Sequence, residues 1–361
     1  MEVTTIGLDI AKSVFQVHGV DASGETVVRR QLRRGQVLRF FEKQPGCLVG
    51  IEACATAHHW GREITALGHQ VRLMAPRYVK PYVKRGKNDA ADAEAICEAV
   101  TRPTMRFVEI KTAEQQSVLM LHRTRQLFVR QRTTLINSLR AHLAELGIVA
   151  GVGRNGVERL LKVIDDGDDD RVPPAARQCL MALRHQLALV KQQILDADRR
   201  VLAWHRSSEL SQRLDDIPGV GPLIATALVA SVPDPHAFKS GRDLAAWIGL
   251  VPKQNSTGGK ERLGHISKAG NRYLRMLLVV GALSVIRRAK QMGYTRRPWL
   301  AELMARRSTR GRRHRAGQQD GAHRLGDDGP WDTLQGARTA GGLRSARARL
   351  ALTRLERAMD E

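Results

Sequence analysis

The stretch Lys87-Asn-Asp-Ala-Ala-Asp-Ala-Glu-Ala-Ile96 decides how the rest of the chain is read. It sets Asp89 and Asp92 three residues apart in a run of good helix formers, and on a helix residues i and i+3 share a face. Two carboxylates therefore project together. Lys80, Lys84, Arg85 and Lys87 stand just before them. Paired carboxylates beside a basic approach suit a divalent cation working on phosphate. The plainer account is a solvated helix start, where Asp is favoured by the helix dipole. The surrounding chain has to discriminate between the two.

Working back toward the N-terminus, the order predicted is β-β-β-α-β-α-β-α. Val3–Ile10 reads as a short apolar strand, Ser13–Val20 as an alternating one, and Glu25–Leu32 as a third after the Asp21-Ala-Ser-Gly24 turn. Gln36–Lys43 and Ala57–Leu67 read as helices; Cys47–Ile51 is a buried strand delivering Glu52, and Gln70–Met74 a fifth strand. Asp9 ends the first strand and Glu52 the fourth. Neighbouring strand ends converge, so Asp9, Glu52, Asp89 and Asp92 are expected to cluster. Four carboxylates that close repel unless divalent cations neutralise them. Two ions roughly 4 Å apart would stabilise the attacking and leaving oxygens of a phosphodiester displacement.

Composition points the same way. The 361 residues carry a formal net charge of +23, which favours a polyanionic partner, nucleic acid first and an anionic membrane surface second. The apolar run Met276–Ile286 is far too short to span a bilayer, and the first residues lack a signal peptide's basic flank and apolar core. Cys47, Cys54, Cys97 and Cys179 have no paired C-x-x-C spacing and fit reduced thiols.

Residues 111–206 change character. Thr112–Leu146 contains neither proline nor glycine, and Leu180, Leu183, Leu187, Val190, Ile194, Ala197 and Val201 fall mostly three and four apart. Two long helices are expected, packed either as an antiparallel hairpin or as a dimer coil. The acidic run Asp165–Asp170 between them lacks the ligand spacing of a calcium loop and reads as solvated.

In residues 207–305, Ile217-Pro-Gly-Val-Gly221 resembles the turn of a helix-hairpin-helix element, in which Gly219 and Gly221 would offer backbone N–H groups to a DNA phosphate. The plainer account is a glycine turn before a core helix. Downstream, Asn255-Ser-Thr-Gly-Gly-Lys260 reads as a mobile loop among the cations Lys253, Lys260 and Arg262, with Lys268 and Arg272 following. It lacks the Walker A spacing, which argues against an ATPase. Its serine, Ser256, is either a nucleophile toward phosphate or a plain phosphate contact.

Taken together these pieces resemble the DEDD transposases of insertion-sequence family one-ten, including its eleven-eleven subgroup, and the related Piv-type invertases. The resemblance is carried by Gly7-Leu-Asp-Ile-Ala-Lys12, Gly50-Ile-Glu-Ala53, Lys87-Asn-Asp-Ala-Ala-Asp92, Ile217–Gly221, Ala246-Trp-Ile-Gly-Leu-Val-Pro252, Asn255–Lys260 and Ile266-Ser-Lys-Ala-Gly-Asn-Arg-Tyr-Leu-Arg275. It implies an α/β plus α architecture. Residues 1–110 would form a RuvC-like (RNase H fold) catalytic domain, 111–206 a long-helix coiled-coil insert, and 207–305 a mostly helical transposase domain. By the same resemblance Asp9, Glu52, Asp89 and Asp92 hold Mg²⁺, with two ions expected, and Ser256 is the nucleophile. Ser240 precedes the Ala-Ala-Trp-Ile-Gly-Leu motif and does not match. Lys84, Arg85, Lys87, Gly219, Gly221, Lys253, Lys260, Arg262, Lys268 and Arg272 would contact DNA or RNA. The expected partners are the element's DNA ends, target DNA, an element-encoded guide RNA and further copies of the chain, in the cytoplasm of a bacterium and on its nucleoid.

Residues 306–361 break the pattern. They contain no Lys but many Arg, Gly and Asp. One account is a basic tail that touches RNA. The other is a frameshift, because within Gly317–Gly341 the first 21 codons moved by one base can be read Ala-Asn-Lys-Met-Ala-His-Ile-Ala-Trp-Ala-Met-Met-Ala-Arg-Gly-Ile-Arg-Tyr-Lys-Glu-Pro, an apolar-periodic helix. Two rival functions stand beside transposition. A RuvC-like nuclease would need the four acids but not Ser256. A non-catalytic nucleic-acid-binding protein would leave the acids unexplained.

Overall fold

The computed structural model describes residues 2–84 and 88–292. It contains two compact units, Met1–Ser117 together with Ala230–Asp234, and Val118–Val229 together with Pro235 onward. The long-helix segment and the serine-bearing segment thus share one unit, which the sequence boundaries had divided.

In the first unit the strands are β1 (Thr5–Ile10), β2 (Val14–Val20), β3 (Thr26–Arg33), β4 (Leu48–Glu52), β5 (Gln70–Met74) and β6 (Phe107–Val108); the last is too short for a periodicity signal. They form one sheet in the order β3-β2-β1-β4-β5-β6. β1, β4 and β5 run parallel, while β2, β3 and β6 run antiparallel to their neighbours. Helices α1 (Val37–Phe41) and α2 (Ala57–Ala66) cover the face bearing Ile6, Leu8, Phe15 and Val17, and Phe41, Trp60 and Ile64 are buried there. A short α3 (Pro76–Val79) leads toward α4 (Asp89–Val100).

α4 covers the other face, and two glycines determine how closely. Side chains alternate along a strand, so Gly7 shares a face with Asp9, and Gly50 with Glu52. Gly7 pairs with Gly50 across β1 and β4. A Cβ on Gly7 would run into the α4 backbone at Ala93 and Cys97, and one on Gly50 would stand 2.8 Å from Val100 Cβ. The helix therefore rests on bare strand backbone. Cys97 Sγ reaches the Thr5 carbonyl at 3.7 Å, so α4 runs antiparallel to β1, with Cys97 over Thr5 and its first turn beyond Gly7 toward Asp9. The Asn88 side chain accepts the Ala90 N–H at 3.0 Å and fixes where the helix starts.

The second unit is built on α5 (Ala113–Glu145), α6 (Arg154–Asp165) and α7 (Pro174–Ser207). Leu139 and Leu143 of α5 pack in one cluster with Leu180 and Leu187 of α7, and Arg125 pairs with Asp198 at 2.5 Å. This order makes the two long helices an antiparallel hairpin within one chain. The predicted seam is buried at Leu180, Leu187, Val190, Ile194, Ala197 and Val201, with Leu183 half-buried, so it is spent inside the chain. The acidic run is not simply solvated. Asp165 pairs with Arg184 and Asp169 with Arg171, and Arg177 donates to the carbonyls of Ile164, Asp166 and Asp169.

The remaining elements are α8 (Glu209–Asp215), α9 (Pro222–Ser231), α10 (Gly241–Ile248), β7 (Pro252–Gln254), β8 (Leu263–Ile266) and α11 (Arg272–Met292). A buried polar cluster joins α5, α9 and α11. Thr226 Oγ1 donates to the Pro222 carbonyl at 2.7 Å, so its oxygen is free to accept His122 Nε2–H at 3.0 Å. His122 Nδ1 then accepts the Tyr273 hydroxyl at 3.0 Å. Burial, with the Arg125 guanidinium nearby, holds this neutral imidazole down at about 4. All four cysteines are free thiols. Among the described residues no helix is long and apolar enough to cross a membrane.

This packing leads to two expected outcomes. Gly7→Ala should lower stability to urea by about 1–3 kcal/mol, because overpacking here meets backbone rather than a side chain that can yield. Gly35→Ala, which has open space around it, should leave the midpoint unchanged. For His122, whose pKa in the fold lies below its ordinary value of 6.5, stability is complete above pH 6.5 and lost as pH falls toward 4. His122→Gln should flatten that window by up to about 1.4 kcal/mol per pH unit, read from urea midpoints across pH.

Candidate active site

The carboxylates come from three elements that the sheet and α4 force together. The last paired residues of β1 and β4 are Leu8 and Ile51. One step on, at the ends of adjacent parallel strands, come Asp9 and Glu52, both half-buried and facing the side that α4 covers. Asp89 and Asp92 occupy the first turn of α4. The other three acids all act on Asp9. The Asp9 carboxyl is pushed up to about 6, first by burial and then by the charges of Asp92, Asp89 and Glu52. Glu52 is raised by burial and then by Asp92.

As the side chains stand, no group of three or more His, Cys, Asp or Glu among the described residues is arranged to hold a metal ion. The donors are nonetheless of one kind, hard carboxylate oxygens around a half-buried, charge-burdened Asp9, which is the chemistry that Mg²⁺ and Mn²⁺ favour. Cys54, two residues past Glu52, stands in the same field: burial and then Glu52 and Asp9 raise its thiol. A glycine two residues before an acid, at Gly7–Asp9 and again at Gly50–Glu52, was a signal in the sequence for the helix seat as well as for the acids.

The basic approach is more committed than its sequence suggested. The Lys84 ammonium lies 2.6 Å from Glu94 of α4, which Arg29 also approaches at 3.8 Å. Lys84 therefore braces the helix that carries Asp89 and Asp92. Arg85 and Lys87 lie outside the described residues.

In the second unit, Ser256 sits on a hairpin rather than a loose loop. β7 and β8 pair antiparallel, Asn255 N–H donates to the Arg262 carbonyl at 2.8 Å, and Thr257 bridges to Lys260. Gly258 and Gly259 both have positive φ, 57° and 76°, the two-residue turn whose twist matches a hairpin. The exposed Ser256 Oγ accepts the Arg262 N–H at a long 3.4 Å. Lys253, Lys260, Arg262 and Lys268 are exposed and, among the described residues, form no ion pair. Arg272 opens α11 beside them. Arg275 donates to the carbonyls of Ile248 and Ala269, at 2.7 and 3.0 Å, tying the segment after the hairpin to the end of α10.

The Pro218-Gly-Val-Gly221 turn joins α8 to α9. Gly219 has φ 89° and rests on α11: a Cβ there would stand 2.8 Å from both the Gly281 carbonyl oxygen and Val285 Cγ2. The Gly221 carbonyl accepts the Ile224 and Ala225 N–H groups and starts α9. Close packing on α11 thus accounts for Gly219 without a ligand. The His122–Tyr273 cluster had no sequence signal, since its members lie 151 residues apart.

If the acids repel as this geometry implies, Asp9→Asn should stabilise the metal-free protein at pH 7–8. The sign comes from a pKa raised above 3.8: the cost of ionising Asp9 is absent below pH 3.8 and complete above about pH 6. Discounted for partial exposure, the gain should be about 1–2 kcal/mol near neutral pH and vanish below pH 4, as measured by urea melts in EDTA.

Residues 6–148 match a transposase family of the DEDD IS110 type, and residues 211–296 match the Transposase IS116/IS110/IS902 family. A probable family 20 transposase of Pseudomonas aeruginosa is 48% identical over 308 residues, covering 85% of this chain and 91% of that protein. A putative transposase of Sinorhizobium fredii, y4pF/y4sB, is 47% identical over 84% of this chain and 79% of its own length. The transposase of insertion sequence element IS1111A from Coxiella burnetii is 40% identical over 85% and 84%. With its acids and its two halves in the order these matches span, the chain belongs to the IS110/IS116 family of insertion-sequence transposases.

Proposed function

We propose that this transposase cuts and rejoins DNA through Ser256, with Asp9, Glu52, Asp89 and Asp92 as the holders of divalent metal, Mg²⁺ by the oxygen-only donor set and two ions by the number of acids. The observation that carries the reading is the seat of α4 on Gly7 and Gly50, which sets Asp89 and Asp92 into the field of Asp9. The strand order, with three antiparallel strands followed by parallel β4 and β5, supports a RuvC-like, RNase H-type fold for this half.

A divalent cation bound by these acids would neutralise charge on the scissile phosphate. The chain's own groups do the remainder. Ser256 Oγ, exposed to solvent, gives its proton to water as it bonds to phosphorus; the bond to one deoxyribose oxygen breaks, and that oxygen takes a proton from water and leaves as a hydroxyl. Attack by a DNA hydroxyl on the serine–phosphate ester later joins the strands and returns Oγ. Lys253, Lys260, Arg262 and Lys268 hold backbone phosphates around the exposed hydroxyl, and the α8–α9 turn at Gly219 and Gly221 is a further phosphate contact. The net charge of +23 is enough to hold an element-encoded guide RNA as well as DNA. A homo-oligomer, in which one copy's acids serve another's serine, completes this reading.

Incubation with end-labelled element DNA and Mg²⁺, followed by denaturing electrophoresis, tests the chemistry. A protein–DNA adduct is expected for the unaltered chain. Ser256→Ala should abolish both adduct and cleavage, by at least about a thousandfold for loss of a nucleophile, while retaining DNA binding. Cleavage without an adduct would make the protein a nuclease of the RuvC kind; binding without either would leave it non-catalytic.

A further inference from the structure

α11 is apolar on more of its circumference than its surroundings use. At about 100° per residue, Leu274, Leu277, Leu278 and Gly281 point to one side, where Gly281 meets Gly219 and the three leucines are buried. The opposite side carries Met276, Val279, Val280 and Leu283. None of these is buried, and Val280 is 55% exposed. A helix that is apolar all round belongs inside a core. Something of matching character therefore has to lie on the outer face.

The stretch from Ser308 to Ala337 does not have that character. Residues 308–337 contain six glycines, four aspartates and a proline, with no apolar periodicity. The Pseudomonas, Sinorhizobium and Coxiella relatives leave about one-sixth of the chain unmatched, the size of residues 306–361. Moved by one base, with ordinary codons, Ser308–Ala337 can be read Arg-Pro-Ala-Ala-Val-Val-Thr-Val-Leu-Ala-Asn-Lys-Met-Ala-His-Ile-Ala-Trp-Ala-Met-Met-Ala-Arg-Gly-Ile-Arg-Tyr-Lys-Glu-Pro. This reading has no stop. It places Val, Leu, Met, Ile and Met at successive spacings of four, four, three and four, one continuous helical stripe. A proline stands just inside its start and a glycine just past its end, the normal punctuation of a helix. The codons of Ser308–Ala337 allow stripe, start and stop in one frame, and the glycine at the stop is forced by Trp331 followed by Asp332.

We propose that the outer face of α11 is the seat of a carboxyl-terminal helix encoded one base out of frame with residues 308–337, and that this chain carries a frameshift near Arg306–Ser308. The transposase fold as inherited includes that helix, and the present product does not encode it in frame. This inference is independent of the chemistry proposed for Ser256.

Two measurements test it. The first is the gene's nucleotide sequence across codons 306–341. An open second frame reading the apolar helix is expected, and a stop or a polar sequence there overturns the proposal. The second is thermal melting of the present chain and of a chain with the frame restored, each with and without Val280→Asp. The restored chain should melt several degrees higher, and Val280→Asp should remove most of that gain while barely shifting the present chain. Equal melting of the two chains, or an equal effect of Val280→Asp in both, overturns the seat on α11 even if the second frame is open.

Discussion

The close approach of α4 to β1 and β4 is the contact on which the site depends. Asp9 and Glu52 are fixed by the sheet, but Asp89 and Asp92 reach them only because the helix lies on the bare backbone of Gly7 and Gly50. An ordinary side chain at either position would lift the helix and carry two of the four carboxylates away with it. Packing works against electrostatics here: burial of Ala93, Ile96 and Cys97 holds the helix down, while the acids at its first turn push on Asp9. Lys84, by engaging Glu94 one turn further along, helps hold it in place.

The second unit solves a different problem, presenting one exposed hydroxyl in a fixed position. Ser256 stands one residue before a turn made by two glycines and among exposed cations. The hairpin stays in place because the segment after it is tied down, through Arg275 on the end of α10 and through Tyr273 on His122. A buried polar cluster is costly if any member lacks a partner, and in this one Thr226, His122 and Tyr273 satisfy each other in a single direction. It links helices that are far apart in sequence and ties the long hairpin, through α5, to α9 and α11.

Much of this was legible in the residues. The order of strands and helices up to Val100 came from alternation and turn residues, and the seam of α7 from its spacing of three and four. Asp9 and Glu52 could be placed because parallel strands end at one edge of a sheet. Other features were hidden for physical reasons. β6 is two residues long, below any periodicity. The hairpin around Ser256 depends on cross-strand pairing, which local composition does not report, so a Ser/Gly-rich stretch read as a loose loop. The pairing of Lys84 with Glu94 was hidden because Glu94 comes into reach only once α4 folds back. His122 lies among arginines in sequence, and its burial exists only after α9 and α11 arrive.

The acid cluster also has a mechanical meaning. Its carboxylates are mounted on two bodies, the strand ends and the helix, with a steep repulsive force between them. Any ligand that bridges the acids draws helix and sheet together, and by linkage its affinity is set partly by how far they must travel. With the metal site proposed above, the stiffness of the glycine seat would act as a control on ion selectivity: a rigid helix would tolerate one ionic radius, and a yielding one several.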